Sequence, residues 1–243
     1  MPATTDSRGL FVTGTGTAVG KTIFTAALAM HLRKSGIDVG VMKPLESGVE
    51  DVTRAGEDAE LLRWAAVSSD PLEATCPYRF ESATAPGTAS RLEKQPVDYT
   101  KLVLTAKQLV GQHQFTLIEG AGGLMVPIAG GFLVSDLAKD IGLPLLIVAD
   151  ARLGTINHTL LTLLAARYLE IEIAGYILNR MPGVPSAAEK NAPHDLASLT
   201  IEELLAVIPE VEGLPREMIE QISTVLPTLP SWPLMKKYLP RSA

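Results

Sequence analysis

The chain has 243 residues, 47% apolar and 20% charged, with a formal net charge of −6. That balance belongs to a soluble globular protein, excludes a disordered chain, and argues against a general nucleic-acid binder, which would present a basic face to phosphate. The single cysteine, Cys76, excludes an internal disulfide and a cysteine-built zinc cluster, and it reads as a small loop or core residue in a reducing cytoplasm. The opening MPATTDSRG lacks the apolar core of a secretory signal, and no apolar run reaches the ~18 residues of a membrane span. A cytoplasmic protein with no membrane or nucleic-acid partner is expected, built as one domain over residues 1–243.

Short β-type runs alternate with longer helical ones, the pattern of strand–helix–strand crossovers in a mainly parallel sheet flanked by helices. GLFVTG reads as the first strand, residues 21–34 as the first helix, DVGVMKP as the second strand, and EDAELLRWAA as a helix with acids in its first turn. From Ser68 to Asp98 the chain holds Pro71, Pro77, Pro86 and Pro96 and reads as a long irregular excursion over the top of the sheet. A helix near Thr100–Val110 follows, then the strand FTLIEG, a helix near Phe132–Asp140, and PLLIVAD, apolar enough for a strand buried on both faces. GTINHTLLTLLAARYLE is a helix, IAGYILN a strand and ELLAVIPEV a final strand. MPGVPSAAEKNAP reads as a polar loop, and PTLPSWPLMKKYLP as a proline-broken tail.

The stretch VTGTGTAVGKT, Val12 to Thr22, ends the first strand in small residues and opens the first helix with Gly-Lys-Thr. Backbone N–H groups of Gly16, Thr17, Ala18, Val19 and Gly20, with the helix N-terminus, can converge there on phosphate oxygens. Lys21 suits the β- and γ-phosphates, and the Thr22 hydroxyl suits Mg²⁺. The loop is one residue longer than the usual phosphate-binding pattern, with five residues between Gly14 and Gly20. The fold class expected is therefore α/β of the P-loop NTPase type.

Lys43, in VMKPLESG, stands at the carboxyl end of the second strand, the sheet edge where such folds bind ligands. Alone it reads as a solvated strand end; beside a phosphate loop it becomes a second cation for a transferring phosphoryl group. Glu119, in TLIEGAGG, ends the next clear strand and suits Mg²⁺, which takes few carboxylates and keeps its waters. Asp58 is a second metal candidate, although a first-turn acid also serves the helix dipole and Glu57 and Glu60 compete with it. Gly154, Thr155, Ile156 and Asn157 offer amides for a carboxylate or phosphate at a helix start, a signal that every helix shares. His31, His113, His158 and His194 show no metal-ligand spacing, and no covalent nucleophile stands out.

Taken together, GTGTAVGKT, KPLESG, EDAELL, IEGAGG, LGTINH and YILNR resemble the dethiobiotin synthetase family in order and separation, over residues 9–212. That family writes its phosphate loop with five residues between the glycines, as here. The resemblance implies ATP- and Mg²⁺-dependent closure of the ureido ring of dethiobiotin from 7,8-diaminopelargonate and CO₂, through a carbamate phosphorylated by ATP. It implies that Lys21 and Lys43 stabilise phosphoryl group and carbamate, and that Thr17 and Ser47 sit at the reacting centre. Thr22, Asp58 and Glu119 would serve Mg²⁺, and Asn179 and Pro209 would lie at the adenine. It further implies a homodimer, the substrate carboxylate being held by the partner's helix start at Gly154 to Asn157. By the same resemblance, TAPGTAS would match a substrate-covering segment. Two departures stand out: Gly16, where many members carry an acid, and Ala18, where some have glutamate.

Two other classes share this loop architecture. Ligases of the cobyrinic acid diamide synthetase type need a glutaminase domain with a nucleophilic cysteine, for which the chain is too short and Cys76 lacks the setting. Switch ATPases of the partitioning or septum-placement type carry an additional lysine early in the loop, and Thr13 to Val19 contains none.

Overall fold

The computed structural model describes residues 8–241; most of the opening MPATTDSRG lies outside them. β1 (Gly9–Gly14) is buried throughout and leads into α1 (Lys21–Lys34), β2 (Val39–Met42) and β3 (Leu45–Ser47). Next come α2 (Glu57–Ala66), α3 (Leu72–Thr75), β4 (Tyr78–Phe80), α4 (Pro86–Leu92) and α5 (Tyr99–Gln112). β5 (Phe115–Gly123), β6 (Pro127–Ala129), β7 (Phe132–Leu133) and α6 (Val134–Ile141) precede β8 (Leu145–Asp150) and α7 (Thr155–Tyr168). The chain closes through β9 (Ile173–Met181), α8 (Ala187–Leu199), β10 (Leu204–Pro209), α9 (Pro215–Val225) and α10 (Trp232–Met235).

Six of these strands form one parallel sheet in the order β10-β9-β8-β1-β5-β2. Side chains alternate across it, and both faces are apolar. Leu10, Val12, Leu146 and Val148 join a core with α1, α2 and α9, while Phe11, Leu145, Ile147 and Tyr176 join a second with α5, α6 and α8. Along α1, Phe24, Leu28 and Leu32 recur every fourth residue and are fully buried, each worth about 2 kcal/mol. The chain runs from β1 out to β2, back to β5, and then across β1 to β8. This reversal opens a crevice outside the carboxyl ends of β1 and β5, where the phosphate loop lies.

Three segments differ from the sequence reading. The 68–98 excursion contains α3, β4 and α4, and two of its prolines start elements rather than interrupting them: Pro71 precedes α3 and Pro86 opens α4. β3 and β4 pair in parallel as a small sheet, and α4 lies so close to β6 that a side chain on Gly87 would come within 3.1 Å of the Pro127 carbonyl. The supposed polar loop 181–193 contains the start of α8, where the Ser186 N–H donates to Glu189 (2.7 Å) and the Glu189 N–H to the Ser186 hydroxyl (3.5 Å). The tail is packed: Trp232 and Met235 are buried in the α1 core, and Trp232 sets its edge on His31 at 4.9 Å.

Candidate active site

The phosphate loop is fixed from behind by the end of β9. Asn179 Nδ2 donates to the Val19 carbonyl at 2.9 Å, and the Arg180 guanidinium donates to the Ala18 carbonyl while pairing with Asp150 at 3.3 Å. Ala18 and Arg180 both adopt positive φ, 59° each, a conformation that non-glycine residues rarely hold without surrounding support. Gly20 has φ 87°, and a Cβ there would fall 2.1 Å from Asn179 Nδ2, so only glycine satisfies both the turn and the contact. Lys21 Nζ folds back to donate to the Gly16 carbonyl at 3.0 Å. Burial pushes the Lys21 ammonium down to about 8, against the pull of Glu119 and Asp58.

Beside the loop, Lys43 Nζ sits 2.6 Å from both Asp58 Oδ2 and Glu119 Oε1. Lys43 is buried and Glu119 is fully enclosed. Burial disfavours the Lys43 charge, but Glu119 and Asp58 outweigh it and hold the ammonium above its ordinary value. Burial likewise works to raise Asp58, and Lys43 overrides it, leaving the carboxylate below its usual range. Thr22 Oγ1 lies 2.8 Å from Asp58 Oδ1 and 2.9 Å from Glu119 Oε1, able to donate to one at a time. Of the competing first-turn acids, Glu57 is exposed and Glu60 pairs with Arg216, so Asp58 alone of the three reaches the cluster.

Three hard oxygen donors thus converge, and Glu119 Oε2 is buried with no hydrogen-bond partner. An orphaned carboxylate oxygen beside a hydroxyl and a second carboxylate fits Mg²⁺. Among the described residues no three His, Cys, Asp or Glu side chains gather as a metal cage.

A cavity of 430 Å³ opens over this cluster, lined by Thr17, Lys43, Ser47 and Asp58, with Ala83 to Pro86 on one side and Ala121, Gly122 and Val126 on another. The Ser47 hydroxyl is buried there without a partner. The excursion thus supplies one wall of the cavity, to which Thr84, Ala85 and Pro86 of TAPGTAS belong. A larger open depression of 660 Å³ between α1, α2 and α9 holds none of the predicted site residues. Gly154, Thr155, Ile156 and Asn157 stand at the start of α7 after β8, outside the 430 Å³ cavity. Pro209 ends β10 opposite Met181, two residues from Asn179 along the neighbouring strand.

One residue of this wall escapes the sequence reading. Glu46 is buried, lines the cavity, and accepts the backbone N–H groups of Asp58 (2.8 Å) and Ala59 (3.2 Å). An acid one residue before Ser47 in KPLESG is the only local signal, and its partners lie 12 and 13 residues onward.

Residues 8–218 match the family described as AAA domain. The ATP-dependent dethiobiotin synthetase BioD of Anaeromyxobacter sp. (strain K) is 44% identical over 202 residues, 83% of this chain and 90% of that protein. The protein of the same name from Bacillus subtilis (strain 168) is 36% identical over 212 residues, covering 87% and 91%. The chain belongs to the dethiobiotin synthetase family. Among solved structures, the MinC:MinD cell division protein complex of Aquifex aeolicus superposes with a TM-score of 0.57 at 15% identity, covering 95% of this chain and 93% of that one. Apo McdA of Cyanthece superposes with a TM-score of 0.55 at 14% identity, covering 94% and 97%. At those identities the likeness is one of fold alone, so the dethiobiotin synthetase family shares its sheet with such proteins while its sequence kinship lies with the biosynthetic enzymes.

Proposed function

We propose that this chain closes the ureido ring of dethiobiotin from 7,8-diaminopelargonate and CO₂, converting ATP to ADP and phosphate, at the cavity over Lys21, Lys43, Thr22, Asp58 and Glu119. The observation that carries the reading is the joining of two buried lysines to a phosphate loop beneath a walled cavity, in a chain of this family. One amine of the substrate takes up CO₂ as a carbamate, and a carbamate oxygen displaces ADP from the γ-phosphorus. The second amine then attacks the carbamoyl carbon and expels phosphate.

Every stage gathers anionic oxygens, and the chain supplies cations where they collect. Lys21 lies at the loop for the β- and γ-phosphates, and Lys43 lies between loop and cavity for the γ-phosphoryl group and the carbamate. At ~4 Å and an effective dielectric of ~20, each such contact is worth about 4 kcal/mol before desolvation. Thr22, Asp58 and Glu119 would hold Mg²⁺, which supplies charge neutralisation to the phosphates when bound. Thr17 and the unpartnered Ser47 hydroxyl orient the reacting groups from the wall. The loop amides of Gly16 to Gly20 receive the phosphates, and Asn179 and Pro209 bound the base. Gly154 to Asn157 take the substrate carboxylate of a partner's site, which makes the working unit a homodimer. One shared sheet with a core on each face supports a single domain, and a cytoplasmic setting suits these substrates.

The test is incubation with Mg-ATP, bicarbonate and 7,8-diaminopelargonate, reading phosphate release and dethiobiotin by mass spectrometry. Dethiobiotin and phosphate in equal amounts, both lost in Lys21→Ala, are expected. Phosphate release indifferent to the diamine, with no dethiobiotin, would overturn the reading in favour of a switch ATPase.

A further inference from the structure

The N-terminus of α2 has no cap of its own. Gly56 occupies the capping position with no side chain to offer, yet two of the orphan amides there are satisfied by Glu46, from β3. A carboxylate is well suited to that place because the positive end of the helix dipole favours it. The fit is close: a Cβ on Gly56 would stand 2.4 Å from the Glu46 carboxylate, although φ −71° at Gly56 would admit any residue. Space for Glu46, and not backbone conformation, accounts for the glycine. Behind the carboxylate, the buried Cys76 thiol points at Glu46 Oε2 from 3.7 Å.

The residue held by its backbone N–H is the one whose side chain enters the site. Asp58 donates its amide to Glu46 at 2.8 Å and turns its carboxylate to Lys43 at 2.6 Å and Thr22 at 2.8 Å. α2 is also anchored by Leu61, Leu62 and Ala65 on its apolar face and by the Glu60–Arg216 pair, but the amides of Asp58 and Ala59 donate their hydrogen bonds to Glu46. We propose that Glu46 is a positioning residue for the phosphoryl and metal site, acting through Asp58: it pins the first turn of α2 so that the Asp58 carboxylate stands between Lys43 and Thr22. This rests on the reading that Asp58 serves Mg-ATP.

The variants Glu46→Ala, Glu46→Gln and Gly56→Ala separate positioning from mere stability. Amide hydrogen exchange at Asp58 and Ala59 is followed together with Mg²⁺-dependent ADP binding by calorimetry. Glu46→Ala is expected to speed exchange at both amides by about tenfold or more and to raise the Mg²⁺ concentration for half-maximal ADP binding by roughly tenfold. Glu46→Gln, which keeps an acceptor, is expected to recover part of both. Gly56→Ala leaves the charge of Glu46 intact but collides with it, so it should reproduce the Mg²⁺ shift alone and add little in the Glu46→Ala background. Mg²⁺ dependence within about twofold of wild type in Glu46→Ala, whatever happens to its melting temperature, would overturn the proposal. If the wild-type chain makes no dethiobiotin while the variants still show these shifts in ADP binding, the reaction is removed and the positioning role stands.

Discussion

Burial takes the Lys21 ammonium down to about 8, and this one displacement has opposite consequences for activity and for stability. A free enzyme that needs Lys21 charged to receive phosphates loses kcat/KM for ATP as pH rises through about 8, by roughly tenfold per unit above it. For stability the sign reverses. The unfolded lysine titrates near 10.5, so between about 8 and 10.5 the unfolded chain binds the extra proton and folding gains as pH rises. Lys21→Met should erase that gain, which urea titrations of both proteins across the window would show. A kcat/KM for ATP that stays level past about pH 9.5 would sink the first half of the prediction. At this scale the sequence was informative through the phosphate loop, the strand ends and the family resemblance: Thr22, Lys43, Asp58 and Glu119 meet within 3 Å although they are scattered over 98 positions. Glu46 stayed hidden because it works on backbone amides of a distant segment, which leaves no pattern in side-chain types.

Among the elements, the boundaries of α1 and α2 were legible because a glycine precedes each and an apolar run follows, with first-turn acids as a further mark in α2. β3 and β4 were not, since three-residue strands are too short for alternation to show, and their pairing joins residues 33 apart. The start of α8 was legible in principle from Ser186 and Glu189, but Pro185 and the internal Pro193 point toward a loop. What holds the excursion to the main sheet includes a side-chain clasp. His113, just before β5, meets Asp38 at 3.0 Å through Nδ1 and Asp70, at the base of the excursion, at 3.2 Å through Nε2. It also lies over Gly40 of β2, where a Cβ would come within 2.6 Å of the ring. Burial disfavours the imidazolium, but the hydrogen bond to Asp38 and the charges of Asp70 and Asp38 win, so the His113 pKa is raised. A raised histidine stabilises fully below its unfolded pKa, about 6.5, and loses that contribution as pH climbs through the folded value. After solvent screening the clasp is worth about 0.5–1 kcal/mol. His113→Gln should therefore cost more stability at about pH 6 than at about pH 9 in denaturant titrations; an equal loss at both would show that only packing matters.

The whole molecule follows from the parallel-sheet rule that puts ligands at the carboxyl edge, and that much was readable from strand–helix alternation. The strand order was not, because nothing local says that β5 inserts between β1 and β2. Nor does the chain, taken alone, bring all of its predicted site residues together: the α7 start at Gly154 to Asn157 lies outside the cavity over Lys43. The surface next to that start shows what a second copy would cover. Leu153, Leu161, Leu164 and Tyr168 are 88%, 57%, 61% and 86% exposed, and their spacing sets them along one side of α7 and its approach. A row of large apolar side chains in water, beginning beside an anion-competent helix start, fits an isologous interface that would carry each α7 start to the other subunit's cavity. Sedimentation of the wild-type protein should then give twice the chain mass, and Leu161→Glu with Leu164→Glu should give monomers that have lost most activity. The sharper test mixes two weak proteins, Lys21→Ala, dead at its own phosphate loop, and Asn157→Asp, which sets a carboxylate against the substrate's carboxylate. In a mixed dimer one site carries both defects and the other carries neither. Random exchange of subunits should therefore restore about a quarter of wild-type activity. If each site were built from one chain, mixing would restore nothing, and the α7 start would have to find another role.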